Sequence, residues 1–432
     1  MEDILEQAKK VAEAAEVFAV SADETHVQFE ANGLKRAQTR QSRTLALRVI
    51  RQGRIGYATT TGPGSSRELV DMAVETARFG MPAHFEFPPA QSYPDIEVFD
   101  PDVEPTSIEQ MAQLGEQLVA AITRHTPEII CEAGVARDVV STRIINSRGG
   151  EISYRKSIFS LGIEGVLTRG TDMLFVGDSD SSCHPITQHQ YIAEAVLQQL
   201  ELAKNQAEVS TGTLPVIFTP RGLASALIPP LMAAFNGKTV LQGASPVGNR
   251  LGQPVFDDKL SLWDDPLVAY RPSSRPADDE GIPSQRTPLI KAGVVSHFFY
   301  DLQTAALAHT QSTGNGGRGH GLPTPTPSAF VIATGNATFD EMVSDIKEGL
   351  VIEQLMGAEQ GNILGGDFSG NVLLGYKVES GKIVGRVKNT MVSGNVYQVL
   401  KEIAALGSEA RWVDGFLHTP PIYCPRLSVA SK

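Results

Sequence analysis

Apolar residues recur at spacings of three and four over residues 3–15, at Ile4, Leu5, Ala8, Val11, Ala12 and Ala15, which predicts one face of a short helix. From Glu16 the period falls to two. Val17–Ser21, Thr25–Ala31, Thr44–Ile50 and Arg54–Thr60 therefore read as strands, with turn signals at Asn32-Gly33 and Gln52-Gly53. Ser65–Phe79 returns to helical spacing, with Leu69, Met72, Ala73 and Ala77 on one face. Residues 1–81 thus read as a helix–meander–helix module.

Residues 82–106 hold Pro82, Pro88, Pro89, Pro94, Pro101 and Pro105, a density that excludes regular elements and marks a linker or extended strap. Thr106-Ser107-Ile108-Glu109 has the form of a capping box and opens a helix running to about His125. Ile129–Asp138, Val140–Ser147, Glu151–Thr168 and Met173–Ser179 read as strands of a second sheet, with a Gly149-Gly150 turn, and Tyr191–Ala207 as a helix. This closes a central mixed module over residues 107–211. A larger module, residues 212–432, begins with a buried strand at Leu214–Thr219. The expected fold class is α+β: two small mixed modules, then a C-terminal domain rich in antiparallel strands. No repeat or low-complexity tract interrupts it.

Composition narrows the function. A chain of 432 residues is long enough for roughly three modules and a full core. Its net charge of −12 argues against general nucleic-acid binding. The longest nearly apolar stretch, Leu223–Phe235, is short for a bilayer and is interrupted by Pro229 and Pro230, and Met1-Glu2-Asp3 does not open a signal peptide. Cys131, Cys183 and Cys424 lie far apart, which disfavours a disulfide framework or a cysteine-rich zinc site. The expectation is a soluble, cytoplasmic protein.

The third module carries the unusual local sequences. Asp278-Asp279-Glu280-Gly281 packs three carboxylates before a turn glycine. Such a cluster binds a cation, orients a base or accepts hydrogen bonds from a peptide; the plainer reading is a solvated acidic turn. Thr313–Gly321, rich in glycine, is an anion cradle or lid, or more plainly a flexible loop, since no helix follows it directly. Gly237-Lys238-Thr239 mimics the end of a Walker A motif, but Met232 stands where its first glycine belongs. In Gly366-Asp367-Phe368-Ser369-Gly370, Asp367 is either a site residue or an Asx-turn former. His184 and His189 are five apart, unlike a helical metal pair. His297, His309 and His320 are each about a dozen residues apart and would have to converge through the fold. The Gly-x-Ser-x-Gly nucleophile motif is absent, and Cys424 reads as structural.

Taken in order, Asp278-Asp279-Glu280-Gly281, Tyr300-Asp301, Thr313-Gly314-Asn315, Gly366-Asp367-Phe368-Ser369-Gly370 and Ser393-Gly394-Asn395 resemble the TldD/PmbA family, as does Leu47-Arg48-Val49-Ile50 followed by Gly56. The family comprises cytoplasmic metallopeptidases and their paired subunits, formerly called modulators of DNA gyrase. The resemblance implies that TldD-like members carry a His-Glu-x-x-x-His zinc helix in the third module and a cysteine ligand near the C-terminus, whereas PmbA-like (TldE) members lack the helix motif and pair with a TldD-like chain. The matching helix here, Arg221–Gly237, has neither histidine nor carboxylate, and no histidine occurs between His189 and His297. Zinc ligands and the general base that would activate a bound water are both missing from it. Cys424 sits in Tyr-Cys-Pro rather than Cys-Gly-Lys, so no ligand role is transferred to it.

The resemblance therefore implies a PmbA/TldE-like, non-catalytic subunit, with no catalytic or metal residue and no cofactor of its own. Zinc is expected in a TldD-like partner. The expected partners are that chain or a second copy of this one, and an unfolded peptide, without nucleic acid or membrane. Asp278, Asp279, Glu280, Gly281, Asp301, Asp367 and Phe368 are the candidate groove or interface residues. The alternatives are a homodimeric hydrolase with a metal held by His297, His309, His320 and Asp301, and a peptide-binding homodimer without catalysis.

Overall fold

The structure, a computed structural model, describes residues 1–62, 65–319 and 321–431. It is α+β, and its sheets are largely antiparallel. Helix α1 (Glu2–Ala8) leads into β1 (Ala14–Glu30), β2 (Gly33–Arg51), β3 (Arg54–Thr60) and α2 (Ser66–Ala77). Then come α3 (Ile108–His125), β4 (Ile130–Asn146), β5 (Glu151–Arg169), β6 (Asp172–Ser182) and α4 (Gln190–Leu202). Helix α1 ends earlier than its apolar spacing predicts, because Ala15 already belongs to β1 and buries its methyl from a strand. Helix α3 starts from a Ser107–Gln110 capping box, one residue after the expected one.

The two expected sheets are one. Its order is β3-β2-β1-β4-β5-β6, because β1 pairs along its length with both β2 and β4. Local patterning finds strands but not partners a hundred residues away. Nor does it see that the polar stretches within β1 and β4 continue the strand instead of breaking it. At 19 residues, β2 and β5 each reach roughly 60 Å.

Strand alternation gives the two faces different partners. Ala15, Val17, Val27 and Phe29 of β1 share one face. Ala15 and Val17 pack with α1 and α2. Val27 and Phe29, at the far end, pack with α3 and α4. On the opposite face Phe18, Ala46, Ile144 and Ile152 meet Ala277 of the C-terminal part. The strap of residues 82–106 is irregular apart from one 3-10 turn, Pro101–Val103, and buries Phe85 and Phe87 beside β2 and β3.

In the C-terminal part, β7 (Gly212–Phe218) lies between the parallel strand Glu348–Met356 and the antiparallel strand Ile422–Ser431. The strand Asp367–Glu379 pairs with both Glu348–Met356 and Thr390–Asn395, so the path of strands closes on itself. A second sheet contains Leu262–Asp264 and Thr287–Lys291. The expected helix Arg221–Gly237 is split at Leu227 into α5 (Pro220–Ala226) and α6 (Ile228–Ala234). Pro229 and Pro230 sit in the first turn of α6, where a missing N–H costs nothing. Leu223, Leu227, Ile228 and Leu231 are fully buried in the largest core, and Met232 packs at its edge. Among the described residues no helix is long and apolar enough to cross a membrane.

Candidate functional site

The acidic turn is buried, not solvated. Asp278 and Glu280 are both 0% exposed, and Asp279 is half-buried. Gly281 takes φ +74°, which lets the turn close with Asp278 N–H donating to the Ile282 carbonyl. Asp278 Oδ1 accepts from Glu280 N–H and Ile282 N–H, both at 2.9 Å, and its Oδ2 accepts from Gly316 N–H at 2.8 Å. Burial, then the Glu280 charge, pushes the Asp278 carboxyl well above the usual carboxylate range. Glu280 is also raised by burial, against the pull of Arg48.

Three guanidinium groups make this burial tolerable: those of Arg48 and Arg318, and that of Arg275, 3.5 Å from Asp279 Oδ1. Arg48 Nη1 donates to Glu280 Oε1 at 2.5 Å and Arg48 Nη2 to Glu16 Oε2 at 3.1 Å. The other oxygen of Glu16 accepts from Arg318. Charges thus alternate along Arg318–Glu16–Arg48–Glu280, running from the C-terminal loops through β1 and β2 and back. Phe85 and Phe87 of the strap face the Arg48 guanidinium at 4.8 and 5.0 Å, and Phe18 faces that of Arg318 at 4.9 Å. The backbone and side chain of Arg318 also hold Asp279, by Arg318 N–H to Oδ2 at 2.7 Å and Nε–H to the carbonyl at 3.0 Å. Desolvation offsets much of the attraction in a buried ion network of this kind, so its net contribution to stability is small even though losing one partner is costly.

The glycine-rich loop is pinned where it meets this network, which corrects its reading as simply flexible. Asn315 is fully buried and donates to Asp264 Oδ2 at 2.6 Å and to the Thr326 carbonyl at 3.1 Å. Burial pushes the Asp264 carboxyl up to about 6. A Cβ on Gly316 would lie 2.5 Å from Glu280 Oε2, so only glycine fits there. Asp301 caps the helix Leu302–Leu307, accepting from Thr304 N–H and Oγ1 at 2.7 and 2.6 Å, while Leu302 N–H donates to Glu280.

The structure thus brings Asp278, Asp279, Glu280, Gly281 and Asp301 together. Asp367 and Phe368 stand apart, and no hydrogen bond or ion pair among the described residues joins them to the turn. Asp367 is exposed and accepts from Asn395 Nδ2 at 2.8 Å. Phe368 is buried edge-on to Phe218 in the core rather than lining a groove. Glu16, Arg48 and Arg318 complete the site and were not singled out as partners from sequence. The available signal was Arg48 itself, a charge inside the apolar run Leu45–Ile50.

The dispersed histidines remain dispersed. His297 is exposed and its Nδ1 lies 3.2 Å from the Pro288 carbonyl; His309 is exposed; His320 lies outside the described residues. Among the described residues no three His, Cys, Asp or Glu side chains converge in a way that could hold a metal ion. Cys424 is buried, and burial pushes its thiol up to about 12, which leaves it inert near neutral pH.

Residues 211–431 match the family described as PmbA/TldA metallopeptidase C-terminal domain, and residues 15–78 match PmbA/TldA metallopeptidase domain 1. The chain belongs to the PmbA/TldD family of metallopeptidases. It is 24% identical to the metalloprotease PmbA of Escherichia coli O157:H7, covering 94% of this chain and 90% of that protein. Its fold matches the crystal structure of TldE from Thermococcus kodakarensis with a TM-score of 0.90 and 21% identity over 100% of both chains. It also matches a crystal structure of a putative modulator of DNA gyrase from Thermotoga maritima with a TM-score of 0.91 and 20% identity, over 99% of each.

Membership in a metallopeptidase family raises the question of whether α5–α6 fits a metal. It does not. Its side chains are apolar apart from Arg221 and Ser225. Ser225 Oγ donates to the Gly222 carbonyl at 2.9 Å, closing a bond within the helix. A Cβ on Gly222 would lie 2.3 Å from the Ile352 carbonyl, so helix and strand are in direct contact. These two helices form a packing surface.

Proposed function

We propose that this chain is a PmbA/TldE-like, non-catalytic subunit that assembles with a zinc-bearing TldD-like chain to act on unfolded peptides. The observation that carries the reading is α5–α6. Where the resemblance places a zinc helix, this chain supplies buried Leu223, Leu227, Ile228 and Leu231 and no ligand or base. The zinc and the water it activates then belong to the partner. The whole-length fold match to TldE supports the same branch.

A second feature supports a role in holding extended chain. Strand β3 pairs with β2 only over Leu45–Arg51, so among the described residues nothing pairs with the outer edge of β2 along residues 33–44. That stretch carries Lys35, Arg36, Arg40 and Arg43 and no acidic residue. An open edge of this length binds backbone by strand addition, with little demand on sequence.

Co-expression with a TldD-like chain of the same genome tests the proposal. The expected result is a stable complex that cleaves an unfolded peptide, while this chain alone does not. Cleavage by this chain alone, or no complex with any such partner, overturns it.

A further inference from the structure

A second site lies away from the acidic turn, where β6 and α4 meet the C-terminal sheet. A cavity of about 540 Å³ opens there, lined by Thr219, Arg221, Glu353, Tyr376 and Arg411. Tyr376 is 0% exposed and its hydroxyl has no hydrogen-bond partner among the described residues. Such an unpaired buried group is costly and rare. Glu353 is the extra residue of a β-bulge: Ile352 faces Gly375 and Gln354 faces Leu374, leaving Glu353 unpaired. Bulges re-aim a side chain. Here the carboxylate enters the cavity and accepts one bond, from Thr219 Oγ1 at 2.9 Å. Burial raises its pKa, against the Thr219 hydrogen bond, Arg221 and Arg411; burial first, and then the Glu353 charge, raises that of Tyr376.

The cations of the wall are already engaged. Arg411 Nη2 donates to both oxygens of Asp178, at 2.7 and 2.9 Å. Arg221 donates to the Gly177 carbonyl and stands 3.7 Å from Asp178. Exposed Asp340 and Glu409 add negative charge at the mouth. What the cavity leaves open is acceptor capacity: the remaining lone pairs of Glu353 and the Tyr376 oxygen.

We propose that this cavity binds a primary alkylammonium group, whose three N–H donors are shared between the Glu353 carboxylate and Tyr376 Oη. The amino terminus of a peptide and the amine of a small free molecule both present that chemistry. The proposal rests on the cavity alone and holds whether or not the chain is a non-catalytic subunit.

Calorimetric titration of the full chain tests it with three probes: trialanine, N-acetyl-trialanine and butylamine. Saturable millimolar binding of trialanine with none for its acetylated form is expected. Butylamine binding equally well identifies the ammonium alone as the ligand, and trialanine binding alone identifies a peptide terminus; both support the site. Tyr376→Phe should weaken binding about fivefold to tenfold and Glu353→Gln by about tenfold or more. Tyr376→Phe should also leave the melting temperature unchanged or raised, since it removes an unpaired hydroxyl. Equal binding of the acetylated peptide, no binding of any amine, or unchanged binding by the folded Tyr376→Phe protein overturns the proposal.

Discussion

Arg48 and Glu280 are 232 residues apart in the chain and meet at 2.5 Å, with both side chains buried. One comes from near the C-terminal end of β2 in the six-stranded sheet, the other from a turn of the C-terminal part. Together with Glu16 and Arg318 they form a buried run of ion pairs between these two parts.

Arg48→Ala should destabilise the protein by about 3–5 kcal/mol, because it leaves Glu280 a buried charge with no cationic partner and Glu16 with Arg318 alone. Denaturant unfolding would measure this. A loss below about 1 kcal/mol would mean that water reaches the pair and screens it.

Gly316→Ala places a methyl against the Glu280 carboxylate and should cost at least about 1–3 kcal/mol through overpacking. The same change at Gly319, where a Cβ meets nothing within 4 Å, serves as the control and should be close to neutral. Thermal melts of the two variants compare them directly.

Asp264 makes stability pH-dependent. Its folded pKa is raised from 3.8 to about 6 by burial, so between these values the folded state holds a proton that the unfolded state has released. Stability from this group is therefore full below 3.8 and is lost as pH rises through about 6, by about 3 kcal/mol in total. Asp278 shifts in the same direction, driven by burial and the Glu280 charge. Asp264→Asn should flatten the fall in stability between about pH 4 and pH 6 relative to the unaltered protein. Parallel curves would contradict the assignment.

Phe368→Ala should cost about 3–5 kcal/mol as a core truncation, whereas Asp367→Asn, at an exposed position, should stay within about 0.5 kcal/mol. Unfolding of both variants would show whether this pair belongs to the core or to a binding surface.

Much of the architecture was legible because periodicity is local. Strand β3 falls where alternation puts it, α2 lies within its expected span, α4 begins one residue before its expected start and ends at Leu202 rather than Ala207, and Pro229-Pro230 splits the helix as proline chemistry requires. What was not legible is pairing at a distance. Nothing in residues 14–30 announces that β1 accepts β4 as a neighbour and so merges two expected sheets. The acidic turn has the same lesson at the level of charge. Asp278-Asp279-Glu280 has the composition of a solvated turn, and the guanidinium groups of Arg48, Arg275 and Arg318 let it be buried. Phe368 lies beside a candidate aspartate in sequence, but strand alternation sends the two side chains to opposite sides.

The central claim is that α5–α6 is a packing surface and that the metal belongs to a partner. Zinc content per purified chain, after incubation with excess zinc and thorough dialysis, tests it most directly. A value near zero is the predicted result. A value near one per chain would contradict the account and would make His297, His309 and Asp301 the first residues to replace.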